Sequence, residues 1–243
     1  PEMGGAGRRT RARLSALVHP ASARPPLIGL LGGTFDPVHF GHLRLGEEMR
    51  EALGLDELRL LPAAQPPHRP PPVADARTRL QLLQLAVDGV PGFCVDAREL
   101  QRPGPSYTVD SLRQLRADYP AASLVWILGA DAFNGFTRWH DWPGILEHAH
   151  LAVASRPGSR IEGEAARLLA ERGVAADALR ERRAGGIVPV EITALDISAT
   201  RLRALIARGA STRFLLPEAV REQIHQQGLY PRAAPTDGAP RQP

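Results

Sequence analysis

Two histidines three residues apart, His39 and His42, stand in the run Gly32-Gly33-Thr34-Phe35-Asp36-Pro37-Val38-His39-Phe40-Gly41-His42. The run follows an apolar stretch, Leu27-Ile28-Gly29-Leu30-Leu31, that reads as a buried strand. It leads into Gly41–Leu53, whose apolar spacing predicts a helix. Both imidazoles therefore fall where a strand hands over to a helix N-terminus. Unpaired N–H groups and the positive end of the helix dipole attract phosphate at such a point. The glycines between strand and helix would let a ligand come close to the backbone. A polyphosphate site follows from these residue types. Half of a metal site is the competing reading of the His-x-x-His spacing, but no second ligand pair accompanies it.

A second constellation lies near the other end, Asp196-Ile197-Ser198-Ala199-Thr200-Arg201-Leu202-Arg203. Ser198 is a natural N-cap for an amphipathic helix. Ser198 and Thr200 place two hydroxyls at its first turn, and Arg203 follows one turn on. Alone, this is the pattern of any capped basic helix. Beside the histidine motif, it could close two helix N-termini around one triphosphate.

Dinucleotide-cofactor binding by a G-x-G-x-x-G turn does not fit. The glycines are Gly29, Gly32 and Gly33, and the second strand ends in Leu61-Pro62, where an acid about 20 residues on would be needed. The lone cysteine, Cys94, sits between Phe93 and Val95 and reads as a buried structural thiol.

The elements that must position these residues alternate along the chain. Strands are predicted at Leu27–Leu31, Glu57–Leu61, Phe93–Val95, Ser123–Leu128, Leu151–Ala154 and Ile187–Val190. Helices are predicted at Gly41–Leu53, Asp75–Val87, Thr108–Tyr119, Ser198–Arg208 and Pro217–Gln227, the last two closing the body. Alternation of this kind gives an α/β fold, doubly wound, with a mostly parallel sheet, helices on both faces and a helical C-terminal end. Ligands of such folds lie beyond the strand C-termini, where both motifs fall. Residues 1–26 and 233–243 read as disordered tails flanking one domain, 27–232. On that reading, removing 1–26 leaves stability and activity unchanged.

All 30 basic residues are Arg, and the formal net charge is +4. Residues 1–26 carry +4 and the segment from Arg232 carries +1, which leaves the body at −1. A nucleic-acid-binding domain would carry its excess charge on the folded body, so no nucleic-acid partner is expected. No run approaches the ~18 apolar residues of a membrane span. A targeting peptide is poorly served by Leu14-Ser15-Ala16-Leu17-Val18, too short for an apolar signal core. The expected location is cytoplasmic. Oligomeric state is not legible.

Gly32–His42 together with Ile197–Arg203 resembles the nucleotidyltransferase superfamily with the H-x-G-H signature, specifically the bacterial nicotinate-nucleotide adenylyltransferases. The resemblance spans about Leu27 to Arg232. Pro66-Pro67-His68-Arg69, Pro105-Ser106-Tyr107-Thr108, Ile127-Leu128-Gly129-Ala130-Asp131, Thr137-Arg138-Trp139-His140 and Gln227-Gly228-Leu229-Tyr230 also match. It implies a Rossmann-like fold and adenylyl transfer from ATP to nicotinate mononucleotide in NAD biosynthesis, with Mg²⁺ carried by ATP. It assigns the ATP phosphates to His39, His42, Ser198, Thr200 and Arg203, with His39, His42 and Arg203 catalytic. Gly33, Thr34 and Phe35 would bring backbone against the nucleotides, and Asp131 would bind adenosine. Trp139 would stack on the pyridine ring. Backbone N–H groups of Thr108 and His140 would take the nicotinate carboxylate, with Thr34, Tyr107 and Arg69 nearby. Arg69 stands where some members have Lys, which exchanges a point charge for a fork. The pantetheine-phosphate enzyme is the nearest alternative, opposed by Tyr107-Thr108 and Thr137–His140. Class I aminoacyl-tRNA synthetases share the histidines but need a KMSKS-like loop, absent from a chain without Lys.

Overall fold

The computed structural model describes residues 24–66, 70–193 and 195–231. Six strands, β1 (Leu27–Gly33), β2 (Glu57–Pro62), β3 (Phe93–Val95), β4 (Ser123–Gly129), β5 (His150–Ser155) and β6 (Ile187–Glu191), form one sheet in the order β3-β2-β1-β4-β5-β6. Every pairing is parallel. Their helices are α1 (Phe40–Leu53), α2 (Ala76–Val87), α3 (Arg98–Gln101), α4 (Thr108–Asp118), α5 (Ala130–Phe133), α6 (Trp142–His148), α7 (Gly163–Arg172), α8 (Ala199–Ala207) and α9 (Glu218–Gln226). The chain winds outward from β1 through β2 and β3, then returns to lay β4 against the other side of β1. Folds of this topology bind ligands at that switch, beyond the C-terminal ends of β1 and β4.

The two-residue period of the strands sorts the core into two layers. Leu27 and Leu31 of β1, with Val125 and Ile127 of β4, pack with Met49, Leu82, Leu202 and Val220 on one face. Ile28 and Leu30, with Leu124, Trp126 and Leu128, pack with Leu112, Ile145 and Leu168 on the other. Helices thus cover both faces, which is why β4 is an unbroken apolar run.

β1 runs two residues further than expected. Gly32 and Gly33 are not a turn; they pair in register with Leu61 and Pro62. Their missing side chains leave room for rings. A Cβ at Gly32 would lie 2.6 Å from the Trp126 indole, and one at Gly33 would lie 3.0 Å from the Phe35 ring. The predicted helix starts shift by one residue because Asp75 and Ser198 are caps, accepting from the Thr78 and Arg201 N–H groups. Cys94 is half-buried with its Sγ 3.1 Å from a Glu57 carboxylate oxygen, and burial pushes its thiol up to about 12. Pro25 and Pro26 carbonyls accept from Arg180 and Ser123, so contacts with the body extend before residue 27. No helix among the described residues is long and apolar enough to cross a membrane.

Candidate active site

The segment between β1 and α1 is tightly turned. Phe35 takes a left-handed backbone (φ 49°) and the Asp36–Pro37 bond is cis. Phe35 is buried, so only its backbone can meet a ligand. His39 is the N-cap of α1, in extended conformation. The His39 and His42 rings stack with centroids 3.8 Å apart, and His42 Nδ1 lies 3.3 Å from the His39 backbone N–H that donates to it. Phe35 meets His42 edge-on at 5.0 Å.

His39 corrects an expectation. Neither histidine reads as core in the sequence, yet His39 is only 5% exposed. The turn through Pro37 and Val38 folds it under the helix start. Burial lowers its pKa to about 4, so the ring is neutral at physiological pH. Its Nδ1 is buried without a hydrogen-bond partner among the described residues. An orphaned polar atom at a helix start is the condition a ligand oxygen or water would relieve.

The second constellation arrives beside the first. A Cβ at Gly41 would lie 3.4 Å from the Ile197 carbonyl, just before α8. Arg203 Nη1 donates to the Asp36 carbonyl at 2.7 Å and lies 3.8 Å from its carboxylate. Arg203 Nη2 is 3.4 Å from Thr200 Oγ1, and Ser198 Oγ accepts from Arg201 N–H at 3.2 Å. The start of α1 is also tied to the segment before α9, through the Phe40 N–H and the Leu215 carbonyl at 3.1 Å. His39, His42, Ser198, Thr200 and Arg203 thus lie on two adjoining helix starts. Asp131 is exposed on α5, directly beyond the C-terminal end of β4.

The remaining predicted residues gather around the start of α4. Tyr107 precedes that helix, Thr108 is its first residue, and the Tyr107 ring lies 4.3 Å from the His140 ring. Trp139 follows a 3₁₀ turn, Phe136–Arg138, and is half-buried against Phe136 with centroids 5.6 Å apart. That packing leaves the indole partly exposed. Ser106 Oγ accepts from the Ala64 and Gln65 N–H groups, joining this loop to the one after β2. Arg69, in that loop, lies outside the described residues.

Three residues of this neighbourhood carry no assignment from the sequence: Asp36, Arg79 and Tyr230. Asp36 is 3% exposed and its carboxylate accepts from Val73 N–H, Ala74 N–H and the Tyr230 hydroxyl. Arg79 is buried and donates to the Thr34 and Ala74 carbonyls. Asp36 and Tyr230 stand inside quoted motifs, but nothing in a motif shows that they meet. Arg79 had only the weak signal of a charge among the leucines of α2.

The cytidylyltransferase-like family model matches residues 30–205, most of the chain and both helix starts. The chain belongs to the cytidylyltransferase-like family. Among its curated relatives are several named "Probable nicotinate-nucleotide adenylyltransferase". One from Halorhodospira halophila, named "Probable nicotinate-nucleotide adenylyltransferase", is 49% identical over 215 residues, covering 85% of this chain and 97% of the relative. A protein of the same name from Pseudomonas syringae pv. tomato is 49% identical over 219 residues, covering 89% and 98%. Among solved structures, nicotinic acid mononucleotide adenylyltransferase of Plasmodium falciparum complexed with NaAD has a TM-score of 0.64 at 14% identity. It covers 84% of this chain and 97% of that chain. At that identity the likeness speaks for the Rossmann-like fold of a family member, with helices on both faces of a parallel sheet.

Proposed function

We propose that this cytidylyltransferase-like protein transfers the adenylyl group of ATP to nicotinate mononucleotide, giving nicotinate adenine dinucleotide and pyrophosphate. The observation that carries the reading is the junction of two helix starts at Asp36 and Arg203, 2.7 Å apart. Two positive dipole ends, two imidazoles, two hydroxyls and a guanidinium on adjoining elements suit a triphosphate and little else.

Such a reaction asks little covalent chemistry of the protein. The mononucleotide phosphate, with a second pKa of about 6, is largely a dianion at neutral pH and needs no general base. Its oxygen attacks the α-phosphorus of ATP, and the bond from that phosphorus to the bridging oxygen breaks as pyrophosphate departs. Alignment and fixed positive charge are then the main contributions. Arg203 and His42 would take charge on the leaving phosphates. Neutral His39 would donate one N–H without a proton having to move. Ser198 and Thr200 would add hydroxyl donors.

The donor set also fits a metal that travels with the nucleotide. No group of three or more His, Cys, Asp or Glu side chains suited to a metal ion occurs among the described residues. The nearest carboxylate, Asp36, is occupied by three donors. Mg²⁺ on the triphosphate would neutralise phosphate charge while keeping its waters.

On the acceptor side, Trp139 would stack on the pyridine ring and Asp131 would meet the adenosine. Gly33 and Thr34 would present backbone between the two nucleotides. Thr108 N–H, at the start of an 11-residue helix, is outside the helix ladder and at its positive end. With the His140 backbone it would receive the nicotinate carboxylate, beside the Tyr107 ring. A neutral amide would face a donor with a donor, and two such mismatches at about 1–3 kcal/mol each give on the order of 10²-fold discrimination. The test is pyrophosphate release with ATP, Mg²⁺ and a panel of mononucleotides. The expected result is turnover with nicotinate mononucleotide, preferred about 10²-fold in kcat/KM over the nicotinamide form. No release with nicotinate mononucleotide would overturn the proposed reaction. Parity between the two forms would overturn only the carboxylate pocket.

A further inference from the structure

Four distant segments meet at one buried carboxylate. Asp36 Oδ2 accepts from Val73 N–H at 2.7 Å. Asp36 Oδ1 accepts from Ala74 N–H at 3.1 Å and from the Tyr230 hydroxyl at 2.8 Å. The backbone carbonyl of the same residue accepts from Arg203 Nη1 at 2.7 Å. Two residues away, Arg79 Nη1 donates to the Thr34 carbonyl at 2.7 Å, and its Nε donates to the Ala74 carbonyl at 3.2 Å. Tyr230 is itself buried, 4% exposed, beyond the end of α9 with a left-handed backbone (φ 58°). A non-glycine residue holds that conformation only when its surroundings fix it. Here the hydroxyl on Asp36 is part of what fixes it.

The consequence is geometric. A guanidinium has five N–H donors in one rigid plane. The Asp36 carbonyl and Thr200 Oγ1 each engage one terminal nitrogen of Arg203, which sets the plane and leaves other donors of the fork for a ligand. The carbonyl can set that plane only if the peptide bearing it cannot rotate. Three donors on the Asp36 side chain prevent such rotation, and one of them comes from the C-terminal end of the domain.

We propose that Asp36 and Tyr230 are positioning residues that aim Arg203 at the nucleotide phosphates, so that the C-terminal Leu229-Tyr230 segment is part of the catalytic apparatus without touching substrate. The inference rests on the reading of Arg203 as a phosphate contact. Tyr230→Phe is the variant of choice, since it deletes one oxygen and leaves both backbone donors on Asp36. Steady-state kinetics of Tyr230→Phe, Arg203→Ala and the double variant form a cycle, with Trp139→Ala and Tyr230→Phe/Trp139→Ala as a second cycle.

Tyr230→Phe is expected to lower kcat about tenfold, with KM for the mononucleotide within twofold of wild type. In the Arg203→Ala background the same change should have no further effect. In the Trp139→Ala background it should retain its full tenfold effect. A purely structural role would act alike in both backgrounds. A wild-type kcat for Tyr230→Phe, or losses that multiply with Arg203→Ala, overturns the proposal alone. Wild-type turnover in Arg203→Ala overturns the phosphate reading and the proposal with it. If Tyr230→Phe does not fold, Arg203→Lys decides. Lysine keeps the charge but cannot span the Asp36 carbonyl and a phosphate with one planar fork, so kcat near that of Arg203→Ala is expected, and full kcat overturns the proposal.

Discussion

At the scale of single residues, His39 and His42 look equivalent in sequence and are not equivalent in the fold. His42 is half-exposed, with its ring against Phe35. His39 is 5% exposed and keeps an unpartnered Nδ1 inside. Truncating either should lower kcat by roughly 10²-fold, the scale of losing one preorganised donor to a developing charge. Stability should separate them. His42→Ala removes little buried surface and is expected to melt close to wild type. His39→Ala opens a cavity under the start of α1 and is expected to cost about 2 kcal/mol, a melting shift of several degrees. Thermal melts alongside turnover numbers check both. Near-normal turnover in folded His42→Ala would remove the imidazoles from the phosphate site.

At the scale of elements, the loops hold the site together, and the loops are where sequence reading loses resolution. The central strands β1, β4 and β5 were legible as apolar runs buried on both faces, and β2, β3 and β6 as shorter apolar stretches between turns; only ends moved, as at Gly32 and Gly33, where strand pairing overrides glycine's turn preference. Residues 130–148 were not legible as structure. α5, the 3₁₀ turn and α6 are each seven residues or fewer, too short for a periodicity to develop, and their order comes from packing of Phe133, Phe136 and Ile145. That packing places Trp139 and His140. Arg113 shows what that packing adds. It reads as a solvated residue on α4 and is exposed there, and it also bridges Asp110 at 3.2 Å and Asp141 at 2.6 Å, where Asp141 caps α6 by accepting from Gly144 N–H. The two arginines should therefore fail differently. Arg203→Ala is expected to reduce kcat/KM for ATP by 10²-fold or so. Arg113→Ala is expected to leave ATP parameters alone and raise KM for the mononucleotide about threefold, since an exposed pair contributes under about 1 kcal/mol. Equal losses with both substrates would show that the Arg113–Asp141 pair does not hold the Trp139–His140 loop.

At the scale of the whole molecule, two neutral imidazoles make stability depend on pH. His150 is fully buried at the start of β5, where Nδ1 accepts from Gly186 N–H at 3.0 Å and Nε2 lies 2.8 Å from the Arg182 carbonyl. Both nitrogens are satisfied only in the neutral tautomer with the proton on Nε2. Burial lowers the pKa of His150, and burial lowers that of His39 to about 4. In the unfolded chain both would titrate near the ordinary value of about 6.5. Below that value the unfolded state binds protons that the folded state refuses, so stability falls as pH drops from about 6.5 toward the folded values. His39 alone accounts for about 3 kcal/mol across its window, at about 1.4 kcal/mol per pKa unit. Buried Glu99 works the other way. Its pKa is raised, chiefly by burial, so it adds stability as pH falls through its folded value toward the ordinary carboxylate range. The carboxylates held low by their donors and arginines, Asp56 and Asp96 among them, lose their contribution only below about 3.8. Between pH 7 and 5 two imidazoles therefore act against one buried carboxylate, and the expected net sign is theirs. Calorimetric melts of the ligand-free protein should show Tm falling steadily over that range. His39→Gln, which cannot take up the proton, should show a visibly shallower fall while its Tm at pH 7 stays nearer to wild type than that of His39→Ala. A flat Tm from pH 7 to 5 in the wild type would mean that the two imidazoles do not outweigh Glu99, and an unchanged slope in His39→Gln would remove His39 from the dependence.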